Sequence, residues 1–160
     1  MEEIYPIIRA IHVLSGSLWI GEVVVINFIL IPVLSKYRGE TKKQFLISVF
    51  PRIFNLASVL SATASITGVY LIYYVTQGNL SRLTQGRWGI SILIGGCLGI
   101  LLTLFHFFME NRLARKIGLG KQGDHEKLED VHLKLKIIPR LGLIVILSIF
   151  LLMINASHGL

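Results

Sequence analysis

Cysteine is almost missing from this chain. Its single thiol, Cys97, has no partner, which excludes an intrachain disulfide and any zinc site built on paired thiolates. No glycine-rich phosphate loop occurs, and no nucleophile beside a base or pair of catalytic carboxylates is visible, so a nucleotide enzyme or a hydrolase is not expected. There is no internal repeat and no low-complexity tract, so all 160 residues are read as one domain. Charge is scarce as well, at 16% of residues against 53% hydrophobic. Apart from Glu22 and Arg140, the charged residues lie outside four long apolar runs, at residues 10–34, 53–75, 88–109 and 137–156. About 20 apolar residues in a helix span the roughly 30 Å hydrocarbon core of a bilayer. The fold class expected is therefore all-α, a polytopic membrane four-helix bundle.

The first run does not read as a cleaved signal. Its leader, Met1-Glu2-Glu3, is acidic, the apolar part is long, and no small-residue cleavage site follows. The net charge of +7 does not point to nucleic acid, because the cations flank the spans instead of forming one soluble face. Thirteen of the 16 Lys and Arg residues lie in the two segments after spans one and three, and only Arg9, Arg82 and Arg87 lie on the other side. The positive-inside rule places both basic segments in the cytoplasm and both termini outside, in a cell-membrane protein whose first partner is the lipid bilayer.

Between the spans, Thr41 and Gln44 have capping-box spacing ahead of Phe45, Leu46, Val49 and Phe50, which predicts a short interfacial helix ended by Pro51. Asp124 is placed to cap a second one, with Leu128, Val131, His132 and Leu135 as its apolar stripe and Pro139 at the junction with span four. Ser58, Ser61, Ala62, Ser65 and Gly68 in span two, and the Gly95/Gly99 pair in span three, are small-residue patterns that permit close helix contact. Tyr70, Tyr73 and Tyr74 fit an interfacial aromatic belt, and Cys97 is read as a packing residue.

Ionisable groups inside a bilayer are costly, so each one is a candidate for function. Span one carries His12 and Glu22, span three His106, and the end of span four His158. At about 1.5 Å per residue, His12 and His158 fall toward the outer side, while His106 and His132 fall toward the inner side. Two axial ligands of one iron lie about 4 Å apart, whereas His12 and His106 are separated by roughly 20 Å along the membrane normal. His12 could thus pair with His158, or His106 with His132. Gly16, one turn from His12, leaves room for a flat ligand, with Ser15 and Trp19 alongside. The alternative is an interfacial histidine bonded to lipid or water. Glu22 lies near the midplane, as a proton carrier, a counter-charge or a cation ligand, or as a neutral acid hydrogen-bonded to another span. His125, Glu129 and His132 share one helix face at metal-ligand spacing, but charged neighbours fill the whole segment and a solvated face explains them better.

The most distinctive stretch is Ile8-Arg9-Ala10-Ile11-His12-Val13-Leu14, then Leu18-Trp19-Ile20-Gly21, then Pro32. It resembles the opening helix of the copper-resistance D (CopD) proteins and the HemJ-type protoporphyrinogen oxidases. Trp88 opening span three, Phe105-His106 near its inner end, and the cations Arg112, Arg115 and Lys116 after it strengthen that resemblance. The resemblance implies a four- or five-helix bundle, often binding haem b, that works in membrane redox chemistry or copper handling. By position His12 and His106 would be the family's first- and third-helix histidines. Glu22, which is not part of that pattern, is read beside it as a proton group. Two other roles are compatible with the sequence. One is a non-catalytic accessory subunit of a larger membrane oxidoreductase, or a homo-oligomer, held by the small-residue faces. The other is a copper importer using His12, Glu22 and Met109 or Met153.

Overall fold

In the computed structural model, residues 3–121 and 125–158 are described; within 110–136 most side chains lie outside that description, as does the His158 side chain. The described residues are helical and contain no strand. The first span is one rod in three parts: α1 (Ile4–Val25), a π turn (Ile26–Leu30) and α2 (Ile31–Lys36). A short α3 (Gly39–Ser48) leads into α4 (Phe50–Thr76). A 3-10 turn (Leu80–Thr84) precedes α5 (Gly86–Lys121), and α6 (His125–His158) closes the chain. Four helical stretches, Ile4–Lys36, Gly39–Thr76, Gly86–Met109 and Ile137–Ser157, are long and apolar enough to cross a membrane.

The spans pack in sequence order. α1 packs on α4, α4 on α5 and α5 on α6, and α6 returns to α1 to close the bundle. Side-chain hydrogen bonds cross every seam. His12 Nδ1 donates to the Ala64 carbonyl at 2.9 Å (α1–α4), and Ser65 and Thr103 share a bond of 2.8 Å (α4–α5). Asn155 Nδ2 donates to Ser91 Oγ at 2.9 Å (α6–α5), and Asn27 Nδ2 to the Pro139 carbonyl at 2.9 Å (π turn–α6). Lipid supplies no hydrophobic drive between helices, so such bonds and close packing hold the seams. Ser61, wholly buried, and Ser58 mark the face that α4 turns inward. A ring of exposed Ile, Leu, Val and Phe covers the outside, as a bilayer requires.

Two apolar clusters sit along the axis. Leu34, Leu46, Phe50 and Phe54 fill the end that carries α3, and Trp19, Ala57 and Ile146 hold the middle. At the N-terminal end Tyr5 stacks on Tyr74 with centroids 4.6 Å apart, fixing the start of α1 against the end of α4. α4 stops in a Schellman arrangement. Gly78 N–H donates to the Tyr73 carbonyl, Gln77 N–H donates to the Tyr74 carbonyl, and Gln77 takes the left-handed conformation at φ 54°.

Several local expectations are corrected. Thr41 does not cap α3, which already begins at Gly39 with Arg38 in extended conformation before it. Pro51 sits in the first turn of α4, where its missing N–H leaves no intrahelical bond unmade, so it starts the helix instead of breaking it. The segment after residue 125 is no separate surface helix: its backbone runs unbroken through Pro139 into span four. Asp124 lies outside the described residues. Of the Gly95/Gly99 pair only Gly95 makes a close approach to a neighbouring helix. A Cβ on Gly95 would strike the Met153 methyl, while one on Gly99 would meet nothing within 4 Å. Cys97 is exposed on the outside of the bundle, so it packs against no core.

Candidate functional site

Among the described residues, two cavities lie along the bundle. The larger, of about 470 Å³, occupies the N-terminal half of the bundle. That volume falls within the range of pockets that bury a sizeable organic ligand. All four spans contribute to its wall, including His12 and Gly16 from α1, Gly68 from α4, Gly99 from α5 and Met153 from α6. Its lining is mainly apolar, and Arg9 is the cation on it. Glycine supplies much of the space: a Cβ on Gly16 or on Gly99 would touch nothing.

His12 is the best-fixed polar group of this cavity. A backbone carbonyl can only accept, so the 2.9 Å contact with Ala64 puts the proton on Nδ1. Thr67 Oγ1, itself donating to Thr63, lies 3.3 Å from the same nitrogen. The imidazole edge rests on Gly68, where a Cβ would come within 3.0 Å of Cε1. Nε2 is thereby the basic nitrogen. An Nδ1–H bonded to a main-chain carbonyl, with Nε2 basic, is the arrangement that orients histidines bound to metals. Ser15 does not take part: its hydroxyl turns back onto the Ile11 and His12 carbonyls of its own helix.

The smaller cavity, of about 90 Å³, lies toward the α3 end. Glu22 faces it from α1, and His106 and Met109 face it from α5, with Phe50, Phe54 and Pro139 among its apolar walls. Trp19 lines both cavities and, at 6% exposed, forms the partition between them. Asn27 stands beside the smaller cavity. Its amide hydrogens go to the Val23 and Pro139 carbonyls, and its Oδ1 is buried without a hydrogen-bond partner.

The structure thus separates His12 from His106 and brings Glu22 together with His106. Depth counted along the sequence did not foresee that second juxtaposition. The backbone carries His158 to the N-terminal end, one residue beyond Ser157 on the larger cavity, but its side chain is outside the described residues. The side chains of His125, Glu129 and His132 are outside them too. Among the described residues no three His, Cys, Asp or Glu side chains gather as a metal cluster. Compared with known proteins, the chain matches no family model, no curated protein and no solved structure.

Proposed function

We propose that this chain is a multi-pass membrane protein that binds haem b in the larger cavity, where His12 Nε2 would be one iron ligand. The observation that carries this reading is the fixed His12 ring. Its Nδ1 proton is committed to the Ala64 carbonyl, and the imidazole stands on glycine at the wall of a cavity shaped by several more. The resemblance of the first and third spans to CopD and HemJ-type proteins points the same way.

A haem supplies one-electron redox chemistry, and the protein tunes it through axial ligands, hydrogen bonds and burial. Residues of this chain have definable parts in that. Ala64 and Gly68 hold the His12 ring in one tautomer and one plane. Arg9 gives the cavity a cation suited to a carboxylate side arm. The apolar walls keep water away. The second iron ligand would be His158 or a group from a partner subunit. The 13-to-3 split of cations supports a cytoplasmic position for the basic segments, with the termini and the larger cavity on the outer side of the cell membrane.

The test is a dithionite-reduced minus oxidised visible spectrum of the detergent-purified chain, expressed with haem available. A Soret and α-band lost in His12→Ala supports the assignment. Folded protein without any band refutes it.

A second reading, an accessory subunit of a membrane oxidoreductase or a homo-oligomer, is favoured by the outer faces of α5 and α6. Only 11% and 6% of their most apolar stretches are buried within the bundle. A colourless chain that co-purifies with partners at fixed ratio would select it. Copper import is less well supported, since His12 and Met153 line one cavity and Glu22 and Met109 the other.

A further inference from the structure

The smaller cavity has a character of its own. Its wall is almost wholly hydrocarbon, yet a carboxyl group and an imidazole enter it from two different spans. Among the described residues, Glu22 and His106 are the titratable side chains on that wall. α4 presents Phe50, Phe54 and Ala57, and α6 presents Ile138, Pro139 and Gly142. The nearest cations in sequence on those two helices, Arg52 and Arg140, are exposed and do not line it. A water molecule takes about 30 Å³ of liquid, so about 90 Å³ accommodates a short water chain. Water persists in a cavity only where polar partners hold it. Glu22 and His106 provide them, and the buried Asn27 Oδ1 beside the cavity has its acceptor capacity unused. The π turn at Ile26–Leu30 adjoins the same place, and π turns inside α-helices are frequent at functional sites.

We propose that this cavity is a hydrated proton-binding site in which Glu22 and His106 share one exchangeable proton. The step is a proton transfer alone. Protonated His106 gives its ring proton, through the intervening water, to the Glu22 carboxylate, leaving a neutral imidazole and a neutral acid. No electron moves and the total charge is unchanged. Sharing a single proton limits the charge left in a low-dielectric space, since each ion taken out of water costs several kcal/mol. Two groups coupled in this way titrate as a pair, with apparent values that belong to both. The site lies beyond the Trp19 partition from His12, and it requires no haem.

The test is infrared difference spectroscopy of the full-length protein in lipid nanodiscs, titrated with pH and repeated in D₂O. The carbonyl stretch of a protonated carboxylic acid is the readout. Expected is one such band that titrates, shifts in D₂O on the time of buffer exchange, and is absent in Glu22→Gln. In His106→Gln its midpoint should move by about one pH unit or more. His106→Asn serves if His106→Gln does not give monodisperse protein. A band that does not titrate, does not exchange, or keeps its midpoint without His106 overturns the proposal. So does the absence of any Glu22-dependent band. Because the readout is a protein vibration, its outcome is independent of whether the larger cavity holds a haem.

Discussion

Replacing Gly68 by alanine should separate the proposed affinity for haem from stability of the fold. The added Cβ would stand 3.0 Å from His12 Cε1, inside the contact distance of about 3.5–4.0 Å between carbons. The ring must recede by roughly half an ångström. Its Nδ1–H bond to Ala64, now 2.9 Å, would stretch toward the limit at which N–H···O bonds are meaningful. A hydrogen bond of this kind contributes about 0.5–1.5 kcal/mol. Disturbing the group that orients a metal-bound histidine lowers affinity about 10–100-fold, equivalent to about 1.4–2.7 kcal/mol. Alanine is also the better helix former by about 1 kcal/mol, which offsets the lost bond in the fold itself. Gly68→Ala should therefore weaken haem binding by at least about tenfold while leaving the unfolding temperature within a few degrees of the wild type. Titration of apoprotein with haemin, beside thermal unfolding in the same detergent, measures both. Gly21→Ala is the control, since a Cβ there meets nothing within 4 Å and Gly21 is not on the cavity wall. Wild-type affinity in Gly68→Ala would refute the claim that the His12–Ala64 bond orients a ligand.

Other consequences concern the frame. Gly89→Ala should cost about 1–3 kcal/mol in thermal or denaturant unfolding, because its Cβ would lie 2.9 Å from the Leu83 backbone, which cannot yield as a side chain can. Gln77→Gly should stabilise by up to about 1 kcal/mol, since glycine takes the left-handed conformation at the end of α4 without strain. A double-mutant cycle of Ser65→Ala with Thr103→Val should give a coupling of about 0.6 kcal/mol, typical of hydrogen bonds between membrane helices; zero coupling would remove that bond from the α4–α5 seam. In a Cys97→Ser background, Gln85→Cys should react with an impermeant thiol reagent added to intact cells and Thr41→Cys should not, and the reverse pattern would invert the proposed orientation.

Much of this architecture is legible in the sequence because the bilayer imposes one simple rule. Apolar runs long enough to cross must be helices, and the runs at 10–34, 53–75, 88–109 and 137–156 all are. Their limits are less legible, since hydropathy marks where lipid begins and not where hydrogen bonding stops. α1 starts six residues before its apolar run, at Ile4, and α5 continues well past residue 109 to Lys121. His12 and Gly16 can be singled out from spacing alone, but the acceptor that fixes the histidine is the main chain at Ala64, and a carbonyl leaves no trace in residue identity. The meeting of Glu22 with His106 escapes a count of depth taken from the apolar runs. Within the full helices the two are level: His106 lies near the middle of α5, Gly86–Lys121, as Glu22 does in the rod Ile4–Lys36. Small-residue patterns misled at Gly99, where the missing side chain makes room for a cavity instead of a neighbouring helix.

The π turn gives the first span a property of phase. One extra residue in a helical turn rotates all that follows by about 100° relative to an uninterrupted α-helix. His12, Trp19 and Glu22 precede that rotation, while Ile31 and Leu34, buried toward the α3 end, follow it. The two halves of the rod are thus indexed independently, each to its own neighbours. Removing a single residue between 26 and 30 would leave His12 beside Ala64 and swing Leu34 out of the Phe50 cluster. One end of the molecule can therefore be re-registered without disturbing the other.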